Sequence, residues 1–270
     1  HGMGSLQDRG EARSVCIQSA PRELRPFLCC RWGFDIDMIS AHASFFLQLR
    51  GKLQWAHDQE ARRAAAMPQL TAWVEHRKEF IAHLTEVHCL KTDGEMYDDY
   101  RKDKCKELFN SLMYGGTYEG WIKKLGRNPA PHCEPRSPRI VALIEEFQRL
   151  RADVFASHEW HPFVERERER LRREQQKTPE QIDRSVFSRI AQILENQILD
   201  AMRNYLKLRN WNVLTLCFDG LIVQHDSDRN LDLRDLEASI LQETGYAMGL
   251  AEKPLYSPTF PTLSLARANE

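Results

Sequence analysis

Val213–Gln224 reads VLTLCFDGLIVQ, two runs of strand-forming apolar residues with a single acid, Asp219, and then Gly220 between them. An Asp-Gly pair flanked by such runs predicts a β-hairpin, because both residues tolerate the positive φ that tight hairpin turns require. Taken alone, the hairpin needs no function, and Asp219 would only make the turn. A second acid-bearing strand far upstream, and a lysine-bearing helix between the two, give that acid another meaning.

The upstream strand is Trp32-Gly33-Phe34-Asp35-Ile36-Asp37-Met38. Its alternation has period two, which sets Asp35 and Asp37 on one face and Phe34, Ile36 and Met38 on the other. Two carboxylates on one face repel unless a positive charge sits between them or water reaches both. Ser40–Leu49 then carries helical apolar spacing, so Asp37 is expected at a strand-to-helix junction.

Between the two acid-bearing strands the chain reads as mainly helical. PQLTAWVEHRKEFIAHLTEVH, from Pro68, predicts one helix with Leu70, Trp73, Val74, Phe80, Ile81, Leu84 and Val87 on its buried stripe. A second helix over 98–113 carries Arg101, Lys102, Lys104 and Lys106 and stops at Tyr114-Gly115-Gly116. NPAPHCEPRSP (128–138) holds four prolines and reads as a loop. Helical spacing resumes at Ile140–Phe155, and ERERERLRREQQK (165–177) predicts a solvated helix or linker. Thr178-Pro179-Glu180-Gln181 resembles a capped helix start. It leads into a long stripe (Ile182, Val186, Ile190, Leu194, Ile198, Met202, Tyr205) that ends at Asn210. After the hairpin come a helix over 232–244 and a short strand over 246–250. This order predicts an α+β fold, a mainly antiparallel sheet backed by helices with a helical insertion.

Composition narrows the class. At 270 residues, 42% hydrophobic and 29% charged, the chain is an ordinary globular protein with ample core material. A formal charge of −1 announces no global basic field, so nucleic-acid binding would need a local basic surface. No apolar run approaches the roughly 18–20 residues of a membrane span, so no membrane partner is expected. HGMGSLQDRG, at the N-terminus, lacks the basic region and apolar core of a signal peptide. Seven cysteines without C-x-x-C spacing fit free thiols in a reducing, intracellular compartment. His88-Cys89 and His132-Cys133 lack the second paired motif that structural zinc would need.

Asp37 and Asp219 each close a strand in apolar surroundings, where a lone carboxylate is costly unless paired, hydrogen-bonded or metal-bound. If their strands are neighbours, the acids converge on an oxygen-ligand site suited to Mg²⁺, which keeps several waters and is completed by substrate phosphates. Two such ions activate an attacking hydroxyl and stabilise the leaving oxygen in a phosphoryl displacement. Lys102 and Lys106, one turn apart, would face a triphosphate, and Tyr114, near the same face, could pack on a nucleotide.

These residues match a known family pattern. CKELFNSLMYGGTYEGW resembles the fingers-helix motif of family A (polymerase-I-like) DNA polymerases, a lysine followed by seven residues and then Tyr-Gly, here Lys106 and Tyr114-Gly115. LCFDGLIV resembles that family's palm hairpin, and FDID with MISAHAS its first palm motif. The latter is also similar to the family B form, read through Asp37, Ser40, Ala41, His42, Ala43 and Ser44. Single-subunit, phage-type RNA polymerases share the Lys-to-Tyr-Gly spacing and a hairpin without a second acid. Residues 1–20 lack periodicity and read as a disordered segment; the resemblance implies a palm over 21–60 and 178–256 and a helical fingers insertion over 61–177, followed by a tail over 257–270. It further implies a template-directed DNA polymerase that takes dNTPs, primer–template DNA and accessory replication proteins as partners. Two Mg²⁺ ions, with Mn²⁺ able to substitute, would be its cofactors. Asp37 and Asp219 would hold the metals, with Asp35 the alternative for the first. Lys106, with Lys102, would contact the triphosphate; Tyr114 and Gly115 would lie at the sugar and base. His42 would stand where a ribose 2′-hydroxyl is excluded, and Glu195, Asn196 and Gln197 would approach the primer–template. The chain departs from the family at Gly220, where a glutamate is usual, at Phe218 in place of a histidine, and at Asn110 in place of an aromatic residue. It also leaves little length for a thumb. A catalytically degenerate, nucleic-acid-binding palm is the other implied outcome.

Overall fold

Gly33–Met38 forms strand β1, and the acid hairpin supplies β2 (Val213–Cys217) and β3 (Gly220–Gln224). With β4 (Leu250–Lys253) they make a four-stranded sheet of order β2-β3-β1-β4 in which every neighbouring pair is antiparallel. The structure, a computed structural model, describes residues 33–53, 66–87, 98–125, 137–174, 177–217 and 219–253. The expected N-terminal segment and C-terminal tail, most of the proline-rich loop, and the His-Cys pairs at 88–89 and 132–133 lie outside the described residues. So do five of the seven cysteines; Cys105 and Cys217 are buried thiols.

The elements run strand, helices, strand, strand, helix, strand. With that strand order, the arrangement is the split-βαβ (ferredoxin-like) kind of α+β sheet. The β1-to-β2 connection carries the helices α1 (Ala41–Lys52), α2 (Pro68–Glu75), α3 (Arg77–Val87), α4 (Asp98–Met113), α5 (Tyr118–Lys124), α6 (Pro138–Ala156), α7 (His161–Glu174) and α8 (Pro179–Leu208). Helix α9 (Leu233–Thr244) links β3 to β4. The chain divides into two compact units, a sheet unit of residues 1–39 and 197–270 and a helical unit of residues 40–196. These boundaries fall before α1 and inside α8, whereas the sequence reading sets them at 60/61 and 177/178.

In the sheet unit, β1 and β3 are the inner strands. Ile36, Met38, Leu221, Ile222 and Val223 are all buried, and β3 is apolar almost without interruption, as a strand enclosed on both faces must be. The half of α8 in this unit buries Ile198, Leu199, Met202, Tyr205 and Leu206, and its Asn204 amide donates to Glu243 Oε1 of α9 (3.1 Å). Asp232 caps α9 by accepting from the Arg234 and Asp235 amides, and Gly245 (φ 71°) ends it. Two details differ from expectation. The last strand begins at Leu250 rather than Tyr246, because β1 ends at Met38, the partner of Leu250, and the chain turns at Ser40 (φ 52°) just after Ile39 N donates to Gly249 O (2.8 Å). Asp219 lies in the hairpin loop, since Cys217 pairs with Gly220. Gly220 is therefore the first residue of β3 and does not take the left-handed φ expected of a turn glycine. What requires glycine there is the backbone of β1. A Cβ at 220 would fall on the Ile36 carbonyl oxygen and 3.2 Å from Asp37 Cα.

In the helical unit an aromatic core joins the elements. Trp73 of α2 stacks on Phe109 of α4 at 3.8 Å, Phe109 meets Phe147 of α6 at 5.4 Å, and Phe46 of α1 stacks on Phe187 of α8 at 4.6 Å. The helix predicted from Pro68 breaks at His76 (φ −124°, ψ 41°), giving α2 and α3. His76 N still donates to Ala72 O, closing α2, and His76 O accepts from Phe80 N, opening α3. No glycine or proline marks the break, which is why periodicity reads straight through it. Glu146 of α6, 1% exposed, accepts from the Gln69 and Leu70 amides (2.9 Å each) and so caps α2 from another helix. The alternating-charge run forms α7, but one face of it is tied to α8. Arg168 forks onto Asp183 (2.7 and 3.0 Å), and buried Glu167 takes Arg189 (2.8 Å). The α8 start has the expected reciprocal cap between Thr178 and Gln181.

Candidate active site: an acid pair in the sheet and a histidine relay among the helices

Antiparallel pairing of β1 with β3 sets Asp37 opposite Gly220, and therefore beside the hairpin loop that carries Asp219. Met38 N donates to Asp219 O (3.0 Å), which pins the loop to the end of β1. The Asp219 carboxylate is near enough for its charge to act on the Asp37 carboxyl. Burial pushes the Asp37 carboxyl above the usual carboxylate range. The Lys253 ammonium, ion-paired to Asp37 Oδ2, pulls the other way, and the Asp219 charge raises it again. Asp35 lies on the same face two residues back, opposite Ile222 and Lys253, so the register brings Asp37 and not Asp35 to the loop acid.

The donor set fits a magnesium-type ion in one specific sense. Two carboxylates and no histidine or thiolate suit a hard cation whose other ligands are water and substrate phosphate. Among the described residues no cluster of three or more His, Cys, Asp and Glu side chains could hold a metal by itself. Lys253, a cation, is seated on Asp37.

The helical unit holds the second group of side chains. Tyr114, just past α4, hydrogen-bonds through its hydroxyl to His42 Nδ1 of α1, and His42 Nε2 meets Glu195 Oε2 of α8 at 2.6 Å. A carboxylate only accepts, so Nε2 carries the proton. In the neutral ring Nδ1 is then the acceptor, and the Tyr114 hydroxyl donates to it. Burial, and then the Glu195 charge, push the Tyr114 phenol far above its ordinary value, which keeps it protonated as a donor. The three side chains thus lock one another, with the His42 and Tyr114 rings edge to face at 5.7 Å. Gly115 follows at φ +79°, and a Cβ there would fall on the Arg151 guanidinium.

Lys106 is half-buried on α4. Burial, then the charge of Arg77, pulls its ammonium below the ordinary lysine range, while Asp103 stands 3.6 Å away. Lys102, one turn earlier, is exposed. Arg77 itself donates from Nη1 to Ser40 Oγ (2.9 Å) and lies over the Trp73 ring at 5.0 Å. Asn196 and Gln197 are exposed on α8, whereas Glu195 is turned to His42. Asn110 is exposed, and Phe109 beside it belongs to the core. Sequence reading missed Lys253 and Arg77. The first sits in a strand whose start was misplaced, and the second at an unmarked helix break. A basic residue in a strand destined to flank two acids was the available signal for Lys253.

No protein-family model matches the chain. It is 24% identical over 255 residues to the putative helicase V13 of the Sputnik virophage, a match covering 93% of this chain and 29% of that protein. The chain thus spans under a third of that relative's length. A solved structure, the POL domain of Pol1 from M. smegmatis in complex with DNA primer-template and dNTP, aligns with a TM-score of 0.39 and 11% identity. That alignment covers 82% of this chain and 39% of the other. No helix among the described residues is long and apolar enough to cross a membrane.

Proposed function

We propose that this chain is a template-directed DNA polymerase core that transfers nucleotides from dNTPs to a primer. One observation carries the reading. Two strands far apart in sequence pair so that Asp37 comes to lie beside the loop acid Asp219. A fold that needed only a turn at 218–219 would not bury a second carboxylate against it.

In this reading Asp37 and Asp219 hold Mg²⁺, or Mn²⁺ in its place. Bound ions would supply activation of the primer hydroxyl and stabilisation of the leaving oxygen. The hydroxyl oxygen forms a bond to the α-phosphorus, the bond to the bridging oxygen breaks, and pyrophosphate departs. Lys106 and Lys102 bind and orient the triphosphate, and the low-lying ammonium of Lys106 suits it to give a proton to the leaving oxygen. His42, held by Tyr114 and Glu195, presents a fixed ring edge to the sugar and disfavours a 2′-hydroxyl, while Gly115 keeps the backbone beside it free of a side chain. Asn196 and Gln197 face the primer–template.

Primer extension with Mg²⁺ tests this, comparing wild type with Asp37→Ala, Asp35→Ala and Asp219→Ala. Loss of at least a hundredfold is expected for the first and third and less for Asp35→Ala, since metal-held phosphoryl transfer rests on the ligand pair. Wild-type extension by Asp219→Ala would sink the proposal. Preferential use of NTPs would move the assignment to a single-subunit RNA polymerase. Binding of primed DNA with no extension would make the chain a degenerate palm.

A further inference from the structure

Asp37 has a cation at hand inside its own sheet. Lys253, at the end of β4, stands opposite Asp35 in the β1–β4 register, and its side chain reaches diagonally so that Nζ pairs with Asp37 Oδ2. Diagonal neighbours on adjacent antiparallel strands share a face and lie within reach of a long side chain. The Asp37 side chain is 15% exposed and that of Lys253 is 52% exposed, so the carboxylate is the buried partner and the ammonium comes from the rim.

Asp37 stands opposite Gly220, beside the loop residue Asp219 that is bonded to Met38 N, and two neighbouring carboxylates need positive charge beside them to stay ionised together. In this fold Lys253 supplies it. We propose that Lys253 is the resident counter-cation of the Asp37–Asp219 pair, and that a divalent ion must displace its ammonium in order to bind. The proposal rests on the metal reading of the acid pair given above. An ammonium brings one charge on a flexible, half-exposed stem, and such pairs are weak. A divalent ion brings two charges and takes both carboxylates as ligands, so it wins the exchange at a cost in affinity that Lys253 sets. Lys253 is therefore a positioning residue. It holds Asp37 in place when no metal is bound and makes occupancy of the site depend on metal concentration.

The test is Mn²⁺ binding to the full chain, without DNA or nucleotide, read from the paramagnetic resonance of free Mn²⁺. Wild type is compared with Lys253→Met, Lys253→Arg and Asp37→Asn. Removing the competing cation is expected to tighten Mn²⁺ about fivefold in Lys253→Met. Lys253→Arg should stay near wild type, and Asp37→Asn should lose the site. The increase in melting temperature on adding Mn²⁺ should also be larger for Lys253→Met, and Lys253→Gln provides the same comparison should the methionine variant fold poorly. Damage to the sheet would weaken metal binding, so tightening separates competition from a merely structural role. Unchanged or weaker binding by both neutral variants, with the site lost in Asp37→Asn, overturns the inference alone. Wild-type binding by Asp37→Asn, or no binding by any form, overturns it together with the metal reading.

Discussion

Replacing Gly220 by alanine should break the sheet where the acids meet. A Cβ at 220 would lie well under 3.0 Å from the Ile36 carbonyl oxygen and 3.2 Å from Asp37 Cα, and both are backbone atoms that cannot rotate aside. Ordinary contact between non-bonded heavy atoms is about 3.5 Å, so β1 and β3 must separate locally by on the order of 1 Å. Overpacking of this kind costs about 1–3 kcal/mol. Stretching the bond from Met38 N to Asp219 O (3.0 Å) adds about 1 kcal/mol. Against this, alanine gains about 0.5 kcal/mol from the lower entropy of its unfolded chain. The net loss is about 1.5–3.5 kcal/mol. With a urea slope of about 2–3 kcal/mol/M, the denaturation midpoint followed by circular dichroism should fall by about 1 M. Gly51→Ala is the control. That glycine is near the end of α1 with nothing within 4 Å of the added carbon, and its replacement should be neutral or stabilising by up to about 1 kcal/mol. Gly220→Glu meets the same two backbone atoms, so a carboxylate offered at this position should destabilise the sheet and not improve catalysis. A Gly220→Ala protein within about 0.5 kcal/mol of wild type, a spread usual for harmless surface changes, would refute the close-approach explanation. So would a Gly220→Glu protein that extends primers faster than wild type.

Three further outcomes follow from the same geometry. Burial raises the Asp37 carboxyl, so the folded protein holds that proton more tightly than the unfolded chain, and metal-free stability should fall as pH rises from about 4 through the raised folded value. Urea midpoints across that range should show Asp37→Asn gaining on wild type as pH increases; a constant difference would contradict the shift. Tyr114→Phe removes the donor to His42 Nδ1 and should cost about 1 kcal/mol, with a change in the His42 ring-nitrogen resonances that leaves the other histidines untouched. Trp73→Ala opens the stack against Phe109 in the helical core and should cost about 3–5 kcal/mol by the same denaturation assay.

Much of the fold is legible because its signals are local. Alternation marks β1, the Thr178–Gln181 cap and the stripe that follows mark α8, and the paired apolar runs mark the hairpin. What stays hidden depends on partners distant in sequence. Nothing around His76 announces a break, because no glycine or proline stands there and the apolar stripe continues across it, with Trp73 and Phe80 meeting edge to face from either side (5.5 Å). Glu167 reads as one more solvated charge until Arg189 of another helix reaches it. Tyr114, His42 and Glu195 are each visible as candidates, yet their mutual hydrogen bonding spans separations of 72 and 153 residues. Spacing along one helix cannot reveal that. Lys253 is a further case, since its role follows from which strand lies beside β1.

The choice between Asp35 and Asp37 shows where pattern reading ends and packing takes over. Slipping β1 by one residue against β3 would turn Ile36 and Met38 out of the core, so periodicity forbids it. A two-residue slip keeps every apolar side chain on its own face and merely exchanges Asp35 for Asp37 beside the loop, so alternation is blind to it. The backbone is not. In the observed register the residue opposite Asp37 is Gly220, at a point where β1 comes too close for any Cβ. A two-residue slip would put Phe218 or Ile222 there, each with a Cβ for which that approach leaves no room. The glycine that stands in place of a second acid is thus the residue that selects Asp37 as partner of Asp219. A carboxylate at 220 and this register exclude each other, which is why the acid site in this sheet consists of a pair.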